Sequence, residues 1–309
     1  MADPHATHDA DVQVDEAGSV APYTLVPLSI PRVSGLVVDA IYYNEHKLWK
    51  RQIDDVQFQL AQQDTMDDAE HGENSVIQQA MASGSNASDV IKGVYEGGLK
   101  TWECSIDLLN YLVAHSTGDS PMRLANSRVL EIGCGTALPS LHILKTEPSA
   151  KVCMQDYNKD VLELVTIPNV LANTTLQPED GTAGDKLFTE DDTETCEIDF
   201  VAGDWTRIEE EVRRQEREHS FDLVLTSETI YESTSYRKLH DLLACVLAKP
   251  NEGGRVPMVL VAAKSIYFGL TGSVLSFSQY VRSRGVFNAE TVWQSGGSMN
   301  REILCLTWA

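Results

Sequence analysis

The chain is expected to fold as an α/β protein with a doubly wound, mostly parallel sheet of seven strands. Three observations predict this. Short apolar runs alternate with helical patterns from residue 128 to residue 308. The stretch Arg128 to Ser140, R-V-L-E-I-G-C-G-T-A-L-P-S, reads as a strand, a tight turn and a helix start, with Gly133 and Gly135 supplying backbone freedom. Asp156 ends the next strand, twenty-one residues beyond Gly135, where nucleotide-type α/β folds place a ribose-binding acid.

Taken in order, residues 1–22 are small and acidic, the composition of a tail that does not order by itself. Residues 23–87 read as an N-terminal arm and polar linker. The arm turns apolar in places between Tyr23 and Leu60. The linker, Gln62 to Ser88, carries five acids between Asp64 and Glu73, then Ser83, Gly84, Ser85 and Asn86. The ordered domain is expected over 88–309. Trp102, Ile106, Leu109, Tyr111 and Leu112 recur at near-helical spacing, so a helix should precede the sheet and pack beside it.

Beyond the glycine turn the pattern predicts strands at Lys151 to Asp156, Cys196 to Ala202, Phe221 to Thr226 and Val256 to Ala263, with a final pair at Phe287 to Trp293 and Glu302 to Trp308. Helices are expected at Asp160 to Asn173, interrupted by Pro168, and at Ile208 to His219, Tyr236 to Ala248 and Val274 to Arg284. Nine acids and one lysine between Gln177 and Asp199 read as a solvated insertion, or as a guide for a basic protein substrate.

With 24 Lys+Arg against 46 Asp+Glu the formal net charge is -22, which argues against nucleic-acid binding and for a basic protein or a small molecule as partner. The six cysteines are dispersed with no C-x-x-C pair, so neither a metal site nor a disulfide framework is expected. No apolar run has membrane-spanning length, and the acidic first twenty residues have the wrong charge for a presequence. The expectation is a monomer of the cytoplasm and nucleus, away from membranes.

The glycine turn lacks the third glycine of a dinucleotide site, because Leu138 stands there. Glu131, two residues before Gly133, instead resembles the first position of the E/D-x-G-x-G-x-G signature of S-adenosylmethionine-dependent methyltransferases, with Ala137 a mild departure at the last glycine. The alternative is an ordinary glycine turn without a cofactor. Gly203, Asp204 and Trp205 follow the third strand, offering a polar group and an aromatic face suited to adenine. Ser227, Glu228 and Tyr231 follow the fourth strand, at the carboxyl edge where open α/β sheets bind ligands. Their spacing resembles the D/E-x-x-Y/F pattern of methyltransferases that modify protein side chains.

A joint match makes the resemblance specific. G-V-Y-E-G-G-L-K-T-W-E-C (93–104), D-Y-N (156–158), I-P-N-V-L-A-N (167–173), L-T-S-E-T-I-Y (225–231) and A-A-K-S-I-Y-F-G (262–269) look like the eukaryotic protein-histidine N-methyltransferases of the methyltransferase-like eighteen type, read here as a fungal member. The likeness covers Ser88 to Trp308 and leaves Val33 to Lys50 as a lineage insertion. It implies a class I, Rossmann-like domain that uses S-adenosyl-L-methionine, releases S-adenosyl-L-homocysteine and needs no metal. It implies methylation of the tele nitrogen of a histidine in large-subunit ribosomal protein three. By the same resemblance Trp102, Glu103, Cys104, Gly133, Asp156, Tyr157, Asn158, Gly203, Asp204, Trp205 and Ser227 fall on cofactor-contacting positions, beside Glu131 and Gly135 of the signature.

The chemistry suits histidine. A neutral imidazole with a pKa near ~6.5 already offers a lone pair, so orientation is the main task, and Glu228 with Tyr231 is placed to supply it. Three other readings compete: a protein-lysine methyltransferase of the same fold, a non-catalytic chaperone or adaptor for a basic protein, and, least favoured, an NAD-dependent oxidoreductase.

Overall fold

The computed structural model describes residues 24–25, 37–43, 46–52, 97–116, 122–174, 198–251, 254–296 and 300–309. The acidic tail 1–22, the polar segment 62–88 and most of the acidic insertion 177–199 lie outside them.

The chain builds β1 (Thr24–Leu25), β2 (Val38–Tyr43), β3 (His46–Arg51), α1 (Glu103–Ser116), β4 (Arg128–Ile132), α2 (Leu138–Thr146), β5 (Lys151–Asp156), α3 (Lys159–Val161) and α4 (Ile167–Thr174). It continues with β6 (Ile198–Ala202), α5 (Trp205–Arg214), β7 (Leu223–Ser227), α6 (Tyr236–Val246), β8 (Met258–Lys264), α7 (Val274–Arg284), β9 (Phe287–Gln294) and β10 (Arg301–Trp308). The main sheet runs β1-β6-β5-β4-β7-β8-β10-β9. Strands β4 to β8 are parallel, while β10 is antiparallel to both of its neighbours. The seven expected strands are all present. An eighth, β1, adds two residues to the edge of β6, too few to leave a periodic signal.

Alternation along the strands sorts the core into two layers. Val129, Val152 and Leu225 face α1, α2 and α4, whereas Leu130, Cys153 and Val224 face α5, α6 and α7. From β4 the chain builds outward through β5 and β6, then returns to lay β7 on the other side of β4. That reversal opens a crevice at the carboxyl ends of β4 and β7.

One expectation needs correction. Pro168 does not interrupt its helix. A π-turn at Leu162–Thr166 bridges α3 and α4, and Pro168 sits inside the continuous helical run. Proline cannot donate to the carbonyl four residues back, which is that of Leu164. Arg51 Nη1 donates to it instead, at 2.7 Å. The stretch Val33 to Lys50, read as an insertion, contains most of the β2–β3 hairpin, and this packs into the core. Leu48 is fully buried and Val38, Tyr43 and Trp49 nearly so, all within the layer that holds α2 and α4. Tyr43 Oη meets Nδ1 of the buried His142 on α2 at 3.2 Å.

Candidate active site

A cavity of about 620 Å³ opens at the carboxyl edge of β4, β5, β6 and β7, within the ~300–1,000 Å³ typical of small-molecule sites. Among the residues expected at a site, Trp102, Gly133, Gly135, Asp156, Tyr157, Asp204, Trp205, Ser227, Glu228 and Tyr231 line it.

One end is shaped by backbone. Gly133 and Gly135 have φ of 63° and 50°, and a Cβ on Gly133 would stand 2.8 Å from Thr229 Cγ2. A Cβ on Gly135 would stand 3.0 Å from the carbonyl oxygen of Gly98, so the loop before α1 closes directly over the turn. Asp156 pins the turn and the residues after its own strand: its Oδ2 accepts from Gly135 N at 3.0 Å and its Oδ1 from Asn158 N at 3.2 Å. Ala137 starts α2 at φ 57°, the left-handed conformation that the glycine of the signature would take without strain.

Gln155 was missed from sequence and is central here. It is buried, its Oε1 accepts from Gly133 N and from Trp205 Nε1 at 3.2 Å each, and its Nε2 donates to Gly203 O at 3.0 Å. One amide thereby ties the glycine turn to the loop carrying the aromatic wall. A second polar residue directly before Asp156, at the end of a strand buried on both faces, was the available signal. Asp204 caps α5 through Thr206 N at 2.9 Å and pairs with Lys238 at 2.8 Å. Burial alone would raise its pKa, but the Lys238 and Thr206 hydrogen bonds hold it below the usual carboxylate range.

The other end is made of side chains. Glu228 stands just past β7 with φ 57°, an uncommon conformation for a glutamate, and its N–H donates to Ala262 O at 2.9 Å. Its Oε2 accepts from Tyr267 Oη at 2.6 Å, and Lys264 Nζ lies 3.7 Å from Oε1. No hydrogen bond of acceptable geometry reaches the buried Oε1 among the described residues. Tyr231 faces Tyr267 edge to face, ring centroids 6.4 Å apart. Burial and then the Glu228 charge push the phenol of Tyr267 and the thiol of Cys104 well above their ordinary pKa values. Trp102 donates from Nε1 to Gly97 O at 3.0 Å, with the ammonium groups of Lys100 and Lys264 5.0 and 5.5 Å from its ring.

Five expected contacts fall off the cavity wall. Period-two alternation sends Glu131 to the same face as Val129, under α2, where its Oε2 accepts from Ser140 N at 3.0 Å and satisfies an orphan N–H of the first turn. Its complete burial pushes its pKa up to about 7, against the opposing pull of the Ser140 hydrogen bonds. Glu103 opens α1 and points to Arg301 on β10, 3.8 Å away. Cys104 is fully buried behind the wall. Asn158 occupies the N-cap position of α3 without a side-chain capping bond, and Gly203 takes part through its backbone, donating to Asp156 O at 3.0 Å.

Fold and cavity together define the class, a doubly wound α/β domain of the methyltransferase kind. The family model described as lysine methyltransferase matches residues 91–266. Histidine protein methyltransferase 1 of Schizosaccharomyces pombe is 33% identical over 285 residues, covering 86% of this chain and 76% of that protein. Histidine protein methyltransferase 1 homolog of Rattus norvegicus is 37% identical over 243 residues, 77% of this chain and 62% of that protein. The chain thus spans about three fifths of the length of this mammalian relative. Among solved structures, magnesium protoporphyrin IX methyltransferase from Synechocystis PCC 6803 is 10% identical over 82% of this chain and 93% of that one, with a TM-score of 0.44. Strand order, not that likeness, carries the fold assignment. The chain belongs to the lysine methyltransferase family, on the branch whose curated members are named histidine protein methyltransferase 1.

Proposed function

We propose that this chain transfers a methyl group from S-adenosyl-L-methionine to a histidine side chain of a protein. One observation carries the reading. A largely buried carboxylate, Glu228, stands just past β7 on the cavity wall, with one oxygen held by Tyr267 and the other 3.7 Å from the Lys264 ammonium without a well-formed hydrogen bond among the described residues.

The residues present fit the cofactor. The glycine turn leaves no room for a Cβ at Gly133, Asp156 offers a carboxylate for a ribose, and Trp205 offers a ring for adenine. When bound, S-adenosylmethionine supplies an electrophilic methyl group. This chain's own residues do the rest. Glu228 accepts the N–H of the imidazole Nδ1, which leaves the lone pair of the tele nitrogen, Nε2, facing the cavity. The same carboxylate stabilises the positive charge that grows on the ring. Tyr267 restrains Glu228, and Tyr231 walls the acceptor side. The -22 charge favours a basic protein as substrate, in line with a protein of the large ribosomal subunit encountered in the cytoplasm or nucleus.

A lysine acceptor is the second reading, favoured by the description of the matched family. The two separate by product and by pH. Incubation with labelled S-adenosylmethionine and a ribosomal extract, followed by amino-acid analysis, should yield methylhistidine, with a rate that levels off above neutral pH. Methyllysine, with a rate still climbing toward the lysine pKa near ~10.4, would replace this reading with the second.

A further inference from the structure

We propose that the β2–β3 hairpin is a working part of the cofactor site, with Asn169 as the positioning residue that joins it to the glycine turn. The proposal rests on the reading above only in naming the ligand of that turn.

Asn169 is fully buried. Its Oδ1 accepts from Arg51 N of the hairpin at 2.7 Å, and its Nδ2 donates to Thr136 O of the turn at 3.0 Å. The amide supplies this donor and acceptor from two separate atoms, whereas an ionised carboxylate would only accept. Four residues on, along the same helix face, Asn173 takes Trp49 N on its Oδ1 at 2.8 Å and donates to Trp49 O at 2.6 Å. Two asparagines therefore serve the edge of β3 as a neighbouring strand would. Arg51 Nη1 adds the bond to Leu164 O, the acceptor that Pro168 cannot use.

Three residues before Asn169 the same helical segment grips the turn a second time, through Thr166 Oγ1 to Gly135 O at 2.6 Å. The two carbonyls gripped are consecutive, and Gly135 and Thr136 both line the cavity. In a trans peptide C=O and N–H point in opposite directions, so anchoring these carbonyls on the helix aims the N–H of Thr136 away from it and leaves that of Ala137 to close the turn on Cys134 O at 2.7 Å. Moving the hairpin would orphan buried amides of Asn169 and Asn173 together, so hairpin, helix and turn shift as one body. Arg51 sits eighty-four residues before Gly135 in the chain, yet the two are joined through a single helix.

Three variants of the full chain test this. Asn173→Ala and Arg51→Met loosen the hairpin without touching the cavity, and Asn169→Ala cuts the join. The first readout needs no ligand: hydrogen exchange of the amides over residues 131–140. All three should speed exchange at the turn, Asn169→Ala by about tenfold or more, as loss of one buried hydrogen bond implies. The second readout is kinetic and calorimetric. The Kd and KM for S-adenosylmethionine should rise about tenfold in Asn169→Ala and severalfold in the other two, while kcat at saturation stays within about twofold. A merely structural role would instead speed exchange evenly across the sheet and leave KM alone. That result, or wild-type exchange at the turn in Arg51→Met and Asn173→Ala, overturns the proposal. If Asn169→Ala does not fold, the two hairpin variants decide it. If the wild-type chain binds no S-adenosylmethionine but the exchange pattern appears, the coupling stands and the cofactor reading falls.

Discussion

The two ends of the cavity are built from different materials. Where β4 and β5 end, the wall is largely backbone: two glycines at positive φ, a loop closing over them, and two side chains, Asp156 and Gln155, whose job is to hold N–H groups in place. Where β7 and β8 end, a largely buried carboxylate on the wall, Glu228, is backed by a cluster of ionisable side chains, Lys264 and Tyr267, from the neighbouring strand end and just beyond it. Backbone walls lose their shape in steps as neighbours are substituted, because that shape is set by many bonds at once. A charge cluster does not, because removing one member leaves the others buried and unmatched. The first end is suited to binding and the second to chemistry, and substitutions should separate the two.

The largest separation is expected from Glu228→Gln, which keeps volume and removes charge. Single-turnover rates on the protein substrate should fall by about 10²-fold or more, with affinity for S-adenosylmethionine by calorimetry within about twofold of wild type. Equal losses in both would merge the two ends. Next comes Asp156→Ala, the mirror case. Affinity for S-adenosylmethionine and for S-adenosylhomocysteine should drop together by about 1.5–3 kcal/mol, since a ribose contact carries no methyl-specific part. An effect on one ligand alone would place Asp156 at the reacting group instead.

A smaller effect follows from Tyr267→Phe, which deletes the donor to Glu228 Oε2 together with the long, 3.3 Å acceptor that the phenol offers Lys264 N. Turnover should fall by roughly three- to tenfold, because the carboxylate is loosened, not lost. Wild-type turnover would mean that Lys264 alone positions Glu228. The smallest effect at the site belongs to Glu131→Gln, since Glu131 lies behind the wall: cofactor affinity should not change. Stability should. The carboxyl of Glu131 sits near 7 in the folded chain against an ordinary 4.5, so the folded state holds its proton longer and loses stability as pH rises between those values. In unfolding titrations the advantage of Glu131→Gln over wild type should grow from about pH 4.5 to 7 and level off above. A pH-independent difference would remove Glu131 as its source.

The backbone end was the readable one. The turn at Gly133 and Gly135 and the acid of Asp156 are short-range patterns, each tied to the end of a strand, and helix α7 could be bounded to the residue from its periodicity. Glu131 was misplaced because a motif names a residue without saying which face of the strand it takes, and alternation decided against the cavity. Tyr267 and Lys264 lay within a recognised motif, yet their task was invisible, since their partner Glu228 is up to thirty-nine residues away in sequence. The hairpin failed for a related reason. Its hydrogen-bond partners are side-chain amides more than a hundred residues downstream, and no local rule pairs a strand with asparagines on a helix.

The cysteines give the cavity an internal clock. Cys134 lies inside the glycine turn at 4% exposure, beside Thr166, and burial pushes its thiol well above the ordinary range. Cys153 and Cys245 are pushed to about 12 and about 11 in the same way. Only the thiolate reacts with electrophiles and oxidants, so these sulfurs are silent in the closed structure. Alkylation of Cys134 then requires the turn to open, and its labelling rate counts those openings. Bound cofactor, by holding the turn shut, should slow that labelling without any change to the reagent.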